Sequence, residues 1–538
     1  MYTDFSRLCH GIISRRNTFA ISIDFRANFL LESDLPRTLW QTGVGTSLLA
    51  FCRLRPIFVL STFHQLGLRL IQPLRLFDNV LQSAEDMLAD AGDLLDRRVR
   101  LGVTGLSRAG KTIFIASLVH HLLHPGRLPL VSVMAEGRYD TAMLLPRGDG
   151  SVPRFAYEHV LRALIGTADT PPAWPGGTTS VSELRLSIRF RAPLALGFNR
   201  PRTLHLDIVD YPGEWLLDLP LLEMDYAEWS RQAWRLAESG GRAGLSVEWR
   251  AMAADLPVTG PIDEPAIMAV VDAFRRYLLA ARDAPDRFCL LQPGRFLLPG
   301  GLEGAPVLTF LPLPETEGRG ERNSLARLMN DRFEAYKREI VEPFFRNHLR
   351  RIDRQIVLVD LLDHMAAGPE SITDLRQAID GTLGAFRHGE NSLLSYILGK
   401  RIDKVLFAAT KADHLPVNDH EDLVGLLSGL VGDTGRALAF NGTAIGTEAI
   451  AALRVTREAD VQTRTGNWPG IAGLPTDSDV EEAVLPGRLP SSIDDVQGDG
   501  SLASVTFRPR PGDVQPDVGM RSLRMDRTIE FLLGDVFA

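Results

Sequence analysis

The stretch LGVTGLSRAGKTIFIASLVHHLL, residues 101–123, runs from apolar residues into a loop bracketed by glycines and then into a helical periodicity. VRLGVTG (99–105) reads as a buried strand, and IFIASLVHHLL carries an apolar helical face on Ile113, Leu118 and Leu122. Between them Gly105, Gly110, Lys111 and Thr112 stand at the G-x-x-x-x-G-K-[ST] spacing. Strand, loop and helix in that order are the context that a phosphate-binding loop requires. The bland alternative is a glycine-rich strand–helix turn.

The chemistry accounts for the spacing. Gly105 and Gly110 permit backbone angles that a Cβ would penalise. The successive amides of Ser107, Arg108, Ala109, Gly110, Lys111, Thr112 and Ile113 can then turn toward phosphate oxygens. The helix opening near Lys111 adds its unsatisfied N–H groups and positive dipole end. Lys111 is expected to reach the outer phosphates as a compact charge and to act in catalysis. The Thr112 hydroxyl suits Mg²⁺, a hard cation that takes oxygen ligands.

A second segment, TLHLDIVDYPGEWLLDLPLL (203–222), is a strand that ends in Asp210 and opens a D-x-x-G sequence with Tyr211, Pro212 and Gly213. At the C-terminal edge of a parallel sheet, Asp210 is placed to hold a water of Mg²⁺. The Gly213 N–H is expected to meet a γ-phosphate, so that the loop senses its presence. Glu214 follows, either to orient or deprotonate water or as a surface charge. Asp207 reads as a structural or outer group. RQIVLVDLLDH (354–364) also ends an apolar strand in an aspartate, Asp360. Asp210 is preferred for the metal because its glycine completes a second motif, and Asp360 reads as structural.

The base is addressed by KVLFAATKADHLPVNDHEDL (404–423), where Thr410-Lys411-Ala412-Asp413 follows an apolar strand in the [NT]-K-x-D pattern. A carboxylate only accepts hydrogen bonds, so Asp413 can take two from the N1 and exocyclic amine of guanine. Adenine offers no matching pair of donors. The Lys411 stem can lie over the purine. Thr410 replaces the more frequent asparagine, which leaves the strength of the guanine preference open. A switch threonine is sought in PPAWPGGTTSVSELRLSIRF (171–190), where Thr178 is preferred over Thr179 as a metal ligand. A base-contacting amide from Ala451 or Ala452 is sought in AIAALRVTRE (449–458).

Composition narrows the function classes. The net charge of −8 gives no electrostatic case for nucleic acid or an anionic membrane. Cys9, Cys52 and Cys289 are the three cysteines; without metal-ligand spacing they argue against a disulfide framework and for a reducing compartment. The nearest approach to a spanning run, GTSLLAFCRLRPIFVL (45–60), is cut by Arg53, Arg55 and Pro56. The chain therefore reads as cytoplasmic and without integral membrane association. Residues 1–86 contain arginine but no lysine and show no sustained period; they are expected to be a poorly ordered or non-native extension, with Met87 an alternative start. A helix is expected over 79–99.

Taken together, VTGLSRAGKT, PRFAYEHVL, WPGGTTSVSELRLSIRF, LDIVDYPGEWLLDLPLL, EWS, TKADHL, ALRVTRE and the closing RMDRTIEFLLGD resemble the YcjX-like family of P-loop NTPases, from about residue 87 onward. The resemblance implies a stress-associated, cytosolic nucleotide-binding protein with a Ras-like core and helical additions. It implies GTP hydrolysis, with Gly105, Gly110, Lys111, Thr112, Asp210, Gly213, Lys411 and Asp413 in the roles given above.

The expected fold is α/β: a Ras-like P-loop core, mostly parallel sheet with helices on both faces, carrying a helical insertion after the D-x-x-G motif. The first part of the core is placed at 87–215, the mainly helical insertion at 216–350, and the second part at 351–538. AIMAVVDAFRRYLLAAR (266–282) sets Ile267, Val270, Val271, Phe274 and Leu278 on one helical face. A long helix over 324–352 is expected to break near Pro343. Trp215, Trp229, Trp234 and Trp249 read as helix packing, or alternatively as a surface for a protein effector docking on the insertion. Residues 464–517 suggest long loops with a short strand at 503–507. Three function classes follow: a GTPase switch working with Mg²⁺ and cycling GTP to GDP, an ATP-dependent enzyme, and a nucleotide-binding interaction protein with negligible turnover.

Overall fold

The computed structural model describes residues 97–538, except 107, 147–151, 194–198, 258–261, 315–323, 385–401, 465, 499, 501, 503 and 504. The expectations for residues 1–86, for a helix over 79–96 and for Ser107 lie outside the described residues.

A seven-stranded sheet is built from β1 (Arg97–Gly105), β2 (Tyr139–Leu145), β3 (Ser182–Pro193), β4 (Asn199–Asp210), β5 (Arg354–Val359), β6 (Lys404–Ala409) and β7 (Ala444–Ala449). Their order is β2-β3-β4-β1-β5-β6-β7. β1, with β4 and β5 in parallel on its two sides, sits near the centre and is buried from Val99 onward. This explains why its apolar residues do not alternate with exposed ones, since a strand covered on both faces needs no alternation; the buried Arg100 is paired with Glu183. β5, β6 and β7 continue in parallel, while β2 and β3 run antiparallel at the far edge. Arg97–Val99, expected to end a helix, are instead the first residues of β1.

Strand alternation divides the core in two. Ile356 and Leu358 pack with α1 (Lys111–Leu123) on one face, whereas Val357 and Val359 face the other. In β3, Leu184, Leu186, Ile188 and Phe190 are all buried on one side, as their spacing predicts.

Between β4 and β5 the chain is helical, with α2 (Tyr226–Glu238), α3 (Val247–Ala254), α4 (Glu264–Asp283), α5 (Leu325–Tyr336) and α6 (Glu342–Asn347). These helices enclose a third core of their own. Trp229 stacks on Phe333 at 5.1 Å and meets Phe310 edge-on at 5.4 Å. Trp249 contacts Phe274 at 5.0 Å. Trp229 and Trp249 are thus interior packing groups, and Trp215 and Trp234 border the same region. All five apolar residues expected on the α4 face are buried. The expected long helix ends at Tyr336, passes through a π-type turn at Lys337–Val341, and restarts as α6 with Pro343 in its first turn. Helical backbone angles continue through this turn, and the wider turn is where a proline within a helix is accommodated.

After β6 comes α7's sequel in space, the long helix α8 (His420–Phe440), packed beside α7 (Pro369–Gly384). Among the described residues, Val417–Phe440 alone is long and apolar enough to cross a membrane by length and composition. Its Leu423, Leu426, Leu427, Leu430 and Val431 are buried in the second core, the pattern of an internal helix.

The glycine-rich region after residue 456 departs from expectation. β8 (Arg457–Thr463), β9 (Gly466–Gly473) and β10 (Glu482–Val484) form an antiparallel three-stranded sheet. A Cβ on Gly470 would stand 2.6 Å from the Val484 carbonyl oxygen, and one on Gly473 would stand 2.6 Å from the Phe507 ring. Glycine here serves close approach within a strand, not a turn. The described part of 503–507 forms no strand; Phe507 makes one isolated bridge to Pro475.

Removing the ring that organises the helical core should cost about 3–5 kcal/mol. Trp229→Ala is expected to lower the urea midpoint followed by tryptophan fluorescence, while Trp234→Ala, at the border, has the smaller effect.

Candidate functional site

β1, β4, β5 and β6 all point their C-terminal ends to one edge of the sheet, where ligand crevices of open α/β sheets form. A cleft of about 700 Å³ opens there. It is lined by Gly105, Arg108, Ala109, Gly110, Lys111, Thr112 and Ile113 from the first loop, Thr178, Glu214, then Thr410, Lys411, Asp413 and Ala452. Segments more than 300 residues apart in sequence therefore share one cavity.

The first loop adopts a phosphate-cradle geometry. Gly110 sits at φ 80° and Arg108 at φ 66°, both left-handed, and the Ala109 N–H bonds the Leu106 carbonyl at 3.1 Å. α1 then opens at Lys111 with no side-chain cap and no acidic residue in its first turn. Its first amides are left for an anion.

Lys111 is buried, and its Nζ lies 2.6 Å from Asp210 Oδ1. The other oxygen of Asp210 accepts from the Thr178 hydroxyl at 2.9 Å, and Thr178 Oγ1 lies 3.4 Å from Thr112 Oγ1. Two hydroxyls and one carboxylate converge, the hard-oxygen donor set that Mg²⁺ takes. Thr178, not Thr179, makes the bond to Asp210. Asp207 is bound by Arg185 at 2.6 Å and Arg98 at 3.1 Å, a structural role as expected.

Gly213 is buried behind the first loop; a Cβ on it would stand 2.1 Å from the Gly105 carbonyl oxygen. The glycine lets the D-x-x-G turn press against the backbone of that loop, a close approach that its sequence reading does not include. Beneath, the Tyr211 hydroxyl donates to Gln355 Oε1 at 3.0 Å, tying the same turn to β5.

Glu214 is buried in the cleft wall, which removes the surface-charge alternative. Burial pushes its carboxyl above the ordinary value, opposed by the charges of Lys111 and Arg282.

On the far side, Lys411 adopts φ 58° and its ammonium is paired with Asp360. Asp360 thus holds the T-K-x-D lysine, a more specific role than sequence alone assigned. Asp413 Oδ2 accepts the backbone N–H groups of Val455 at 2.9 Å and Thr456 at 3.3 Å. Its Oδ1 has no hydrogen-bond partner among the described residues. Ala451 is tied to Leu523 by reciprocal backbone bonds, which brings Ala452 to the cleft.

Among the lining residues that sequence reasoning missed, four matter here: Trp174, Phe507, Arg282 and Arg287. Trp174 donates its indole N–H to the Phe507 carbonyl at 2.8 Å, and Phe507 lines the cleft beside it. Arg282 and Arg287 enter from the helical segment between β4 and β5. The Pro-Gly context marked Trp174 as loop; nothing local marks the two arginines.

Comparison with known proteins agrees with this geometry. Residues 99–537 match the YcjX-like family, DUF463. The chain is 39% identical over 458 residues to "Ras-like GTPase YcjX" of Escherichia coli (strain K12), covering 82% of this chain and 96% of that protein. It is 33% identical over 468 residues to "Ras-like GTPase YcjX" of Shewanella oneidensis (strain MR-1), covering 82% and 95%.

A methyl group at residue 213 must displace backbone. Gly213→Ala is expected to weaken binding of a nucleoside triphosphate at least tenfold by calorimetry, with the far-ultraviolet circular dichroism unchanged.

Proposed function

The chain belongs to the YcjX-like family, and we propose that it binds GTP with Mg²⁺ and hydrolyses it to GDP and phosphate as a molecular switch. The observation that carries this reading is one cleft holding both a phosphate cradle at one end and, at the other, the acceptor oxygen of Asp413. A triphosphate fits the first end: the amides of the loop and α1 and the Lys111 ammonium face it. A guanine fits the second, because Asp413 Oδ1 accepts while Oδ2 is fixed by Val455 and Thr456. The Lys411 stem, steadied by Asp360, supports the ring.

Thr112, Thr178 and Asp210 would hold Mg²⁺, which supplies positive charge against the phosphates. Lys111 then leaves Asp210 for the β- and γ-phosphate oxygens. Glu214 orients the attacking water or accepts its proton, since a buried carboxylate with a raised pKa binds a proton more readily than an exposed one. Positioning and charge neutralisation account for most catalysis of this type.

The two states of the switch differ in what holds Thr178 and Asp210–Glu214. The helical segment grips the stretch that follows: the Gly294 N–H donates to Asp218 at 2.7 Å and the Trp215 indole N–H donates to the Leu298 carbonyl at 2.9 Å. A protein effector docked on that segment would read the nucleotide state through these contacts, in a cytoplasmic, stress-related process. ATP is the competing ligand, because the threonine at position 410, in place of the more frequent asparagine, leaves the strength of the guanine preference open.

Titration with GTP and ATP side by side, in Mg²⁺, tests the base. Asp413→Asn is expected to lower GTP affinity about 100-fold or more, because the site's buried partners lose their match, and to admit xanthosine triphosphate. Equal GTP binding by the variant overturns the guanine assignment.

The raised Glu214 pKa sets two pH signs. Its ionised form is required as a base, so the single-turnover rate should fall on acidification through a pKa above the ordinary value of about 4.3, and Glu214→Gln should abolish that limb. The folded state holds this proton more tightly than the unfolded chain, so stability is lost as pH rises from the unfolded to the folded pKa. Glu214→Gln should therefore raise the melting temperature at neutral pH.

A further inference from the structure

Two arginines of the helical segment reach the cleft, and they are not equivalent. Arg287 Nε is held by Asp363 at 2.9 Å, next to the Asp360–Lys411 pair and hence toward the base. Arg295, nearby in sequence, lies flat on the Trp215 ring at 3.1 Å and does not line the cleft. Arg282 is placed differently. It lines the cleft, and its charge acts on Glu214 together with that of Lys111, so both cations lie about the same buried carboxylate.

The two cations come from remote elements that line one cleft with Glu214: Lys111 from the start of α1 and Arg282 from the last turn of α4. The α4 backbone is fixed by its buried face, including Phe274, Leu278 and Ala281. The guanidinium itself is held only weakly. Its bonds run to the adjacent, half-exposed Asp283, at 3.2 and 3.1 Å. Asp283 in turn lies 3.7 Å from Arg108 of the phosphate loop. A pair with an exposed neighbouring carboxylate contributes little and can be exchanged for a phosphate oxygen.

We propose that Arg282 is the arginine that this chain supplies in cis to the transferred phosphoryl group, a role that rests on the GTP-hydrolysis reading above. Water's oxygen forms a bond to the γ-phosphorus while the bond to the β–γ bridging oxygen breaks. The electron pair of that bond stays on GDP, and the proton of the water passes by way of Glu214 to solvent. Charge grows on the γ-phosphoryl oxygens and the bridging oxygen during the step. The Arg282 fork, freed from Asp283, neutralises it together with Lys111. The need for a guanidinium is geometric, since a planar fork can span two oxygens where an ammonium meets one.

The test uses the full chain, with GTP affinity measured by calorimetry and phosphate release followed in a single turnover. Arg282→Ala should bind GTP within about threefold of the wild type yet release phosphate about 1,000-fold more slowly, the scale of an arginine in this position. Arg282→Lys, which preserves length and charge, should also bind normally and recover little of the rate. GDP with aluminium fluoride, a mimic of the planar phosphoryl group, should bind the wild type and neither variant. A merely structural arginine would leave that mimic's binding intact. The proposal is overturned if Arg282→Lys, or a folded Arg282→Ala, turns over and binds the mimic as the wild type does, in which case hydrolysis itself stands. If the wild type binds GTP but releases no phosphate, the hydrolysis reading fails and this role falls with it.

Discussion

Parallel pairing on both sides of β1 is the constraint from which the site follows. β1 is in register with β4 from Arg97↔Leu204 to Val103↔Asp210 and with β5 up to Gly105↔Leu358. Parallel neighbours cannot be joined by a tight turn, so each connection leaves from the same edge and crosses a face of the sheet. The loop after β1, the aspartate ending β4, Asp360 after β5 and Thr410 after β6 are delivered to that edge together. Small residues then set the spacing between layers. Gly213 meets the Gly105 carbonyl behind the loop, and Gly294 meets the Glu214 carbonyl, where a Cβ would stand only 1.9 Å away. The turn carrying Asp210 and Glu214 is thus pressed between the phosphate loop and the helical segment.

The buried charges at this edge are matched to one another. Lys111 and Asp210 are both buried, and an ion taken from water is tolerated only when its partner is close. Phosphate oxygens that recruit Lys111 leave Asp210 beside the Thr112 and Thr178 hydroxyls with an uncompensated negative charge. On the proposed reading, a divalent cation restores the balance at that point. Anion and cation binding are then coupled through one carboxylate, which gives the D-x-x-G aspartate its leverage over the switch threonine.

Much of this was legible in the sequence, and the limit of legibility is physical. The phosphate loop, the β3 alternation and the apolar face of α4 are local patterns, set by periods of two or 3.6 residues and by backbone angles that only certain residues allow. Asp413 was legible for its residue type and spacing. What a sequence does not display is distance across the chain. The partnership of Lys411 with Asp360, the seating of Trp174 against Phe507 and the entry of Arg282 each depend on packing between remote segments. Glycine was the misleading residue in β9, where it marks close contact and composition suggests a loop.

The separate aromatic core of the helical segment bears on how a switch of this kind transmits its state. A segment held by Trp229, Trp249, Phe310 and Phe333 moves as a packed unit, because close-packed interiors do not deform continuously. It is attached to the turn at several points: Asp218 accepts from Gly294 at 2.7 Å and from the Tyr336 hydroxyl at 2.5 Å, and Arg295 stacks on Trp215. Burial raises the Asp218 carboxyl to about 6, so these hydrogen bonds hold a group that is costly to leave unpaired. Displacement of Glu214 cannot then be absorbed locally, since its carbonyl already touches Gly294. On the proposed reading, a rearrangement of this turn on loss of a phosphate would be passed to the helical unit, and with it to the end of α4 that carries Arg282.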